Sequence, residues 1–206
     1  MHDIVKKAHK KIDARGLACP APVLETRKAL HQDRPKAITV IVDNTAAQQN
    51  VQRFLESQGF KTITEKRGDD YTVLGTHDPS HIKKYQIPET KESNGTRIMV
   101  ICATDRFGSG DDILGKKLMI NFLRTLNEMG KELWRLVFVN YGVKLTVDGS
   151  EVIEDLQDYE KNGVRIMVCG TCLDHFNILE KKQVGETTNM LDIVTAMQIA
   201  DKVINI

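Results

Sequence analysis

The stretch DARGLACPAPVLETRKAL, residues 13–30, places Cys19 between an apolar lead-in and two prolines at the start of a predicted helix. Proline suits the first helical position because its missing N–H would have no partner there. We therefore predict that Pro20 opens the helix and that Cys19 caps it. A thiolate at a helix start faces unpaired N–H groups, which lower the pKa of a cysteine. Cys19 is then either a reactive thiol on a backbone stiffened by Pro22 or a small buried apolar residue, and spacing alone leaves both open.

Strand and helix alternate around this stretch. Residues 11–15 and the β-branched run AITVIVDN, 37–44, have strand character, whereas residues 45–59 carry apolar side chains at helical spacing. KTITEKR and YTVLGT then form two strands around the turn GDD. The order βαβαββ predicts a two-layer sandwich domain over residues 1–78.

A second domain follows a linker. Residues 79–96 lose periodicity and gather Pro, Lys, Glu, Ser and Gly, which is typical of a linker. RIMVICA, 97–103, is a continuous apolar run of the kind that forms a parallel strand covered on both faces. Strand and helix alternate from there onward, so residues 97–206 are predicted to form a parallel-sheet α/β domain with helices on both faces. The fold class is α/β in two domains.

The first predicted helix of the second domain begins in a stretch that partly matches the phosphate-binding loop motif. GDDILGKK, 110–117, fits Gly-x4-Gly-Lys, but Lys117 stands where Ser or Thr would hold magnesium. Ser109 or Asp111 is predicted to cap this helix, and Gly115 to allow close packing. The core-facing stripe is predicted to be Leu114, Leu118, Phe122, Leu126 and Met129.

A second cysteine site lies in VCGTCLDHF, 168–176. Cys169 ends a predicted strand and Cys172 lies at the start of the next helix, at the sheet edge where ligands and chemistry collect. Three interpretations stay open: a thioredoxin-like dithiol pair, a metal site that adds His175, and two packed thiols. His175 is either an exposed helix residue or a positive charge that stabilises a neighbouring thiolate.

Composition narrows the function class. The 206 residues carry 29 basic and 28 acidic side chains, a formal charge of +1, which favours neither nucleic acid nor an anionic membrane as partner. The first residues lack the apolar run of a secretory signal and no transmembrane span is present, so we expect a cytoplasmic protein. Its four cysteines are then expected as thiols, with Cys102 in the core of a strand.

The opening stretch resembles the CPxP signature of the TusA/SirA-like sulfur-carrier proteins, and the resemblance extends over residues 11–78. The Cys-Pro-x-Pro motif falls on Cys19, Pro20 and Pro22, and the residues that also fit its lead-in are Asp13, Gly16 and Leu17. The resemblance implies that Cys19 accepts a sulfane sulfur as a persulfide from a cysteine desulfurase.

The second half resembles the DsrE-like sulfur-relay fold, through GSGDDILGKKLM, VNYGVKLTVDGSEV, CGTCLDHF and VGETTNMLDI. The whole chain is similar to the two-domain YedF-type proteins grouped with selenium metabolism. The resemblance implies that Cys169 is an acceptor, that Cys172 is a resolving or second carrier thiol, and that the chain forms a homo-oligomer. Asn177 stands where relatives usually have glycine, and we expect the turn to survive because asparagine tolerates left-handed backbone.

These observations predict a sulfurtransferase-like carrier of sulfur or selenium. Cys19 is the first acceptor, and Cys169 with Cys172 then accepts the cargo or releases it by disulfide formation. No cofactor is expected beyond a transient persulfide or selenenylsulfide. The expected partners are a cysteine desulfurase or selenium donor and a downstream acceptor protein. Two alternatives remain: a non-catalytic module that docks onto a selenium or sulfur enzyme, and a dithiol oxidoreductase that uses Cys169 and Cys172 without Cys19.

Overall fold

The computed structural model describes residues 9–18, 20–78 and 95–206. Backbone contacts divide the chain into two units, Met1–Glu92 and Ser93–Ile206. The division falls within the predicted linker, residues 79–96, most of which lies outside the described residues. In the described part of the chain, no helix has the length and apolar character needed to cross a membrane.

The first domain has the predicted βαβαββ order. Its sheet runs β1-β2-β4-β3, with β1 parallel to β2 and the other neighbours antiparallel. The strands are β1 (His9–Asp13), β2 (Ala37–Val42), β3 (Phe60–Arg67) and β4 (Asp70–His77), and the helices are α1 (Ala21–Asp33) and α2 (Thr45–Ser57).

One face of this sheet is covered by helix. Ile38, Val40 and Val42 alternate along β2 and are fully buried, as is Leu55 of α2. A Cβ atom placed on Gly75 of β4 would lie 3.2 Å from both Ile38 Cγ2 and Leu55 Cδ1. Helix and sheet therefore pack so closely at position 75 that a larger residue would need its neighbours to move.

The prediction that Cys19 caps α1 is wrong. The cap residue is Pro20, with φ −98° and ψ 17°, and the helix begins at Ala21, whose N–H donates to the carbonyl of Ala18 at 2.8 Å. The cap residue, like the first turn, has no intrahelical partner for its N–H, so a proline is accommodated there without loss. Pro22 then falls in the first turn, where it is buried. Cys19 itself lies outside the described residues.

The second domain is a five-stranded, all-parallel sheet in the order β8-β7-β6-β5-β9. Its strands are β5 (Ile98–Cys102), β6 (Leu133–Phe138), β7 (Arg165–Cys169), β8 (Glu186–Thr188) and β9 (Lys202–Asn205). Its helices are α3 (Asp112–Thr125), α4 (Ile153–Lys161), α5 (Gly170–His175) and α6 (Met190–Ile199), with short 3-10 segments at Leu126–Glu132, Asn140–Thr146 and Leu179–Lys181.

Helices cover both faces of this sheet, as predicted. Every residue of β5 is buried, and alternate strand residues point into two separate cores. One core joins the sheet to α3 and α4 through residues such as Leu123 and Leu156. The other joins it to α6 through Ile193 and Ala196. This arrangement leaves the carboxyl edge of the sheet for the loops that follow β5, β6 and β7.

The predicted core stripe of α3 is wrong in part. Asp111 does cap the helix, accepting the Leu114 N–H at 2.7 Å, but Leu114 is 55% exposed and Leu118 is 42% exposed. Apolar residues on two sides of α3 fit the helical period equally well, and tertiary packing decides between them. Gly115 lies on the inner side, where an added Cβ would be 3.1 Å from Arg106 Cβ, which confirms its close-packing role. The buried stripe is Gly115, Met119, Ile120 and Leu123.

Candidate functional site

The loop that leads to the CPxP motif is held by three carboxylates: Asp13 at the end of β1, Asp43 just after β2 and Asp70 at the start of β4. Arg15 donates from Nε and Nη2 to the two oxygens of Asp13, at 2.8 and 2.5 Å, and from Nη1 to Asp70 at 2.9 Å. Gly16 has φ 71° and donates its N–H to Asp43 at 2.5 Å. Arg15 lowers the pKa of Asp13 to about 2, so this carboxylate is ionised at neutral pH.

The structure therefore brings together the described residues of the predicted first site. Asp13 and Gly16 fix the turn before the motif, and Pro20 and Pro22 fix the helix start after it. Two apolar side chains near the motif, Leu17 and Leu24, are 37% and 41% exposed. The segment that carries the motif is thus anchored on both sides of the cysteine position by backbone and ion-pair contacts.

In the second domain, two thiols meet at the end of β7. Cys169 is the last residue of the strand and is 4% exposed, whereas Cys172 is the third residue of α5 and is half-buried. Neither cysteine is in a disulfide. The backbone N–H of Asn140, in the loop after the neighbouring strand β6, donates to Cys172 Sγ at 3.1 Å. The sheet edge thus holds one half-buried cysteine and one fully buried cysteine.

The surroundings of Cys172 favour its thiolate. A hydrogen bond from Cys169, the backbone N–H of Asn140 and the charge of His175 together lower the pKa of Cys172 to about 6, against the opposing effect of burial. An ordinary cysteine has a pKa of about 8.5. Cys172 is then about nine-tenths ionised at pH 7, and Cys169 is its hydrogen-bond donor.

Cys102 is the contrasting case. It is fully buried at the end of β5, and burial raises the pKa of its thiol to about 12. A thiol of that kind stays protonated and shielded from reagents at neutral pH. The prediction that Cys102 is a core residue is confirmed.

The sequence did not predict a cluster of aromatic and cationic side chains that lies next to the CxxC segment. The Phe176 ring lies 5.0 Å from the His175 ring and 5.1 Å from that of Tyr141, and Lys144 Nζ lies 4.1 Å above the Tyr141 ring. A signal for it is the NYG segment at the end of the apolar run LWRLVFVNYG, because the end of a parallel strand brings Tyr141 to the same sheet edge as the CxxC segment. Of this cluster, His175 acts on the Cys172 sulfur, because its charge lowers the pKa of that thiol.

The turn after α5 forms as expected. Asn177 has φ 55°, its N–H donates to Asp174, and the N–H of Ile178 donates to Leu173, each at 2.9 Å. Asparagine therefore takes the left-handed position that glycine usually fills, which confirms the prediction.

The metal interpretation of the CxxC segment gains no support. Within residues 9–18, 20–78 and 95–206, no three His, Cys, Asp or Glu side chains are grouped so that they would hold a metal ion. His175 instead acts on Cys172 through its charge.

The pH dependence of Cys172 alkylation follows from these contacts. We expect its reaction with iodoacetamide to rise through about pH 6, because the thiolate is the nucleophile and its pKa is lowered. Cys169→Ala removes the largest contribution to that lowering, so its profile should move to higher pH, whereas Cys169→Ser keeps an O–H donor and should move less. Peptide-resolved mass spectrometry measures the profiles, and an ordinary thiol profile for wild-type Cys172 would contradict this account.

Comparison with known proteins places this geometry in a family. Residues 10–76 match the sulfurtransferase TusA family. A candidate sulfur carrier protein of Methanocaldococcus jannaschii is 39% identical over 57 residues, which are 27% of this chain and 76% of that protein. The chain belongs to the TusA family. The TusA domain is followed by a match to the DsrE/DsrF-like family over residues 109–206.

Solved structures resemble each domain of this TusA-family chain. A SirA-like protein from Desulfitobacterium hafniense is 34% identical and covers 32% of this chain and 95% of its own, with a TM-score of 0.31. The ychN protein of E. coli is 19% identical and covers 54% of this chain and 100% of its own, with a TM-score of 0.44. TusA and DsrE proteins are sulfur carriers that work in relays with donor and acceptor proteins, which supports a sulfur-carrier role for this chain.

Proposed function

We propose that this chain is a two-station sulfur carrier in which Cys19 takes up a sulfane sulfur and Cys172 receives it. The observation that carries the proposal is the Cys169 and Cys172 pair: a half-exposed thiolate hydrogen-bonded to a buried thiol, in a domain of a sulfur-relay family. The more accessible and more acidic thiol is the better acceptor, so the proposal assigns acceptance to Cys172 and resolution to Cys169.

The first step is a transfer from a cysteine desulfurase. The Cys19 thiolate attacks the outer sulfur of the donor persulfide, a new S–S bond forms on Cys19, and the donor thiolate leaves as its own S–S bond breaks. No net oxidation occurs, because the sulfane atom moves as a unit. With a selenium donor the same attack gives a selenenylsulfide on Cys19.

The second step repeats this chemistry in the DsrE-like domain. The Cys172 thiolate attacks the outer sulfur of the Cys19 persulfide, and the Cys19 thiolate leaves. A protein acceptor then takes the sulfur from Cys172. Alternatively Cys169 attacks Cys172 Sγ, a Cys169–Cys172 disulfide forms, and the sulfane atom leaves as hydrogen sulfide with the thiol proton. In this alternative two cysteines are oxidised and the sulfane sulfur is reduced. A dithiol reductant must then reduce the Cys169–Cys172 disulfide before the next turnover.

A dithiol oxidoreductase is the second candidate, favoured by the same hydrogen-bonded cysteine pair. Such an enzyme cycles between a dithiol and a disulfide at Cys169 and Cys172 and has no use for Cys19.

Peptide-resolved mass spectrometry of the full-length protein, incubated with a cysteine desulfurase and cysteine, separates the two candidates. The carrier proposal expects one added sulfur on the peptides that hold Cys19 and Cys172, and none on the peptide that holds Cys102. A wild-type protein that gains sulfur on neither peptide, yet reduces a disulfide substrate, would be an oxidoreductase. Selenocysteine in place of cysteine tests selenium as cargo.

A further inference from the structure

We infer that Asn140 and Gly142 are positioning residues for Cys172: the turn they form, pressed against the end of β5, aims the Asn140 N–H at the Cys172 sulfur. The inference rests on the proposed role of Cys172 as the thiolate of the second domain. It adds a site in the loop after β6 that controls the reactivity of a cysteine after β7.

The backbone of the turn sets the direction of the donor. Asn140 lies in the left-handed region at φ 47°, and the N–H of Gly142 donates to the carbonyl of Val139 at 2.9 Å, which closes a tight turn. The Asn140 N–H points instead at Cys172 Sγ, 3.1 Å away. Because the donor is a backbone group, the asparagine side chain matters only in that it tolerates a positive φ.

The end of β5 sets the position of the turn. The carbonyl of Cys102 accepts the Val139 N–H at 3.1 Å. A Cβ atom at position 142 would lie 2.0 Å from the same carbonyl oxygen and 2.9 Å from its carbon. The obstacle is backbone within a buried strand, which cannot rotate aside as a side chain would. Any residue larger than glycine must therefore push the turn off β5.

Residues at the ends of three neighbouring strands thus together position one hydrogen bond to the Cys172 sulfur. β5, β6 and β7 lie side by side in the sheet, so the carbonyl of Cys102 fixes the turn after β6, and that turn fixes the hydrogen bond to the thiol after β7. A hydrogen bond to a charged acceptor is among the stronger ones in proteins, and it acts only if donor and acceptor stay aligned. Displacement of the turn should therefore break this hydrogen bond and raise the pKa of Cys172, while the other groups around the sulfur stay in place.

Other ionisable groups surround the same sulfur. Cys169 and His175 lower its pKa together with Asn140. The remaining ionisable side chains on α5 and on the elements packed against it are Asp174, Tyr141, Lys144, Arg165, Glu180 and Lys181. All of these are unchanged in the variants below, so a shift in the alkylation profile reports the turn.

The test measures iodoacetamide alkylation of the Cys172 peptide in full-length protein between about pH 5 and pH 9. Asn140→Val and Gly142→Ala should alkylate about threefold more slowly than wild type at pH 6.5, with the midpoint moved upward by about one unit. Asn140→Gly keeps the N–H and the positive φ and should match wild type. Gly95→Ala is the matched control, because an added Cβ at Gly95 meets nothing within 4 Å and its φ is not positive.

Each outcome has a defined meaning. A wild-type profile in folded Asn140→Val would overturn the positioning role, and this variant serves if Gly142→Ala fails to fold. A slowed Asn140→Gly would also overturn it, because the side chain would then be the active element. An ordinary thiol profile in the wild-type protein would instead remove the thiolate assignment on which the proposed function stands.

Discussion

Full-length protein with Cys19→Ser should take up no sulfur on any cysteine when it is incubated with a cysteine desulfurase and cysteine. In the proposed relay, cargo enters only at Cys19, so the Cys172 peptide should stay unlabelled as well, although its thiolate is intact. Serine has nearly the shape of cysteine, and the loop before the motif is anchored by hydrogen bonds from Arg15 and Gly16 to carboxylates. The expected change is therefore a complete loss of loading without a loss of fold, measured by intact mass.

Cys102→Ser is the matched control for that loss. Its thiol is fully buried and its pKa is raised to about 12, so a folded Cys102→Ser protein should load as the wild type does. Labelling of Cys172 at the wild-type rate in Cys19→Ser would show that cargo enters the second domain directly.

Cys172→Ser and Cys169→Ser should stop the relay at two different points. Without Cys172 the sulfur remains on Cys19 and no hydrogen sulfide is released, because the only half-exposed thiolate of the pair is gone. Without Cys169 the sulfur reaches Cys172 and stays there as a persulfide, because no second thiol displaces it. Peptide mapping distinguishes the two positions, and a sulfide electrode measures release.

The two variants serve as controls for each other, since each removes one sulfur from the same segment. Equal hydrogen sulfide release from Cys172→Ser and wild type would refute a role for Cys172. Accumulation on residue 169 in the Cys172→Ser protein would reverse the assignment of acceptor and resolving thiol.

Local patterns in the sequence were enough for most of the architecture. The fully apolar run of β5 and the alternation of strand and helix predicted a parallel sheet covered on both faces, because only such a sheet buries every residue of a strand. Asn177 was placed in a left-handed turn because few other residues accept that backbone. Each of these inferences depends on neighbours along the chain.

The features that the sequence left undecided depend on tertiary contacts. Apolar residues on two sides of α3 satisfy the same period, and packing against the sheet, which the sequence does not show, leaves Leu114 and Leu118 exposed. β8 has only three residues, ETT, too few for a strand pattern. The start of α1 shifted by one residue, which is within the usual uncertainty of a helix end.

In the candidate site too, local sequence predicts some features, whereas others depend on tertiary contacts. The spacing of CGTC predicts that Cys169 and Cys172 act as a pair. Their separate roles depend on how deeply each is buried and on the N–H of Asn140, which is 32 residues from Cys172 in the chain. Gly142 gives no local signal either, because its need for a hydrogen in place of Cβ arises from the Cys102 carbonyl on another strand. Reactivity at this edge is a property of three strands together.

A time course in the wild-type protein tests the relay most directly. Isotopically labelled cysteine and a catalytic amount of cysteine desulfurase are added, the reaction is quenched by alkylation, and the labelled sulfur on each cysteine peptide is counted. The account predicts that label appears first on the Cys19 peptide and then on the Cys172 peptide as the first declines. Label that appears on Cys172 before Cys19, or that never leaves Cys19, would contradict it.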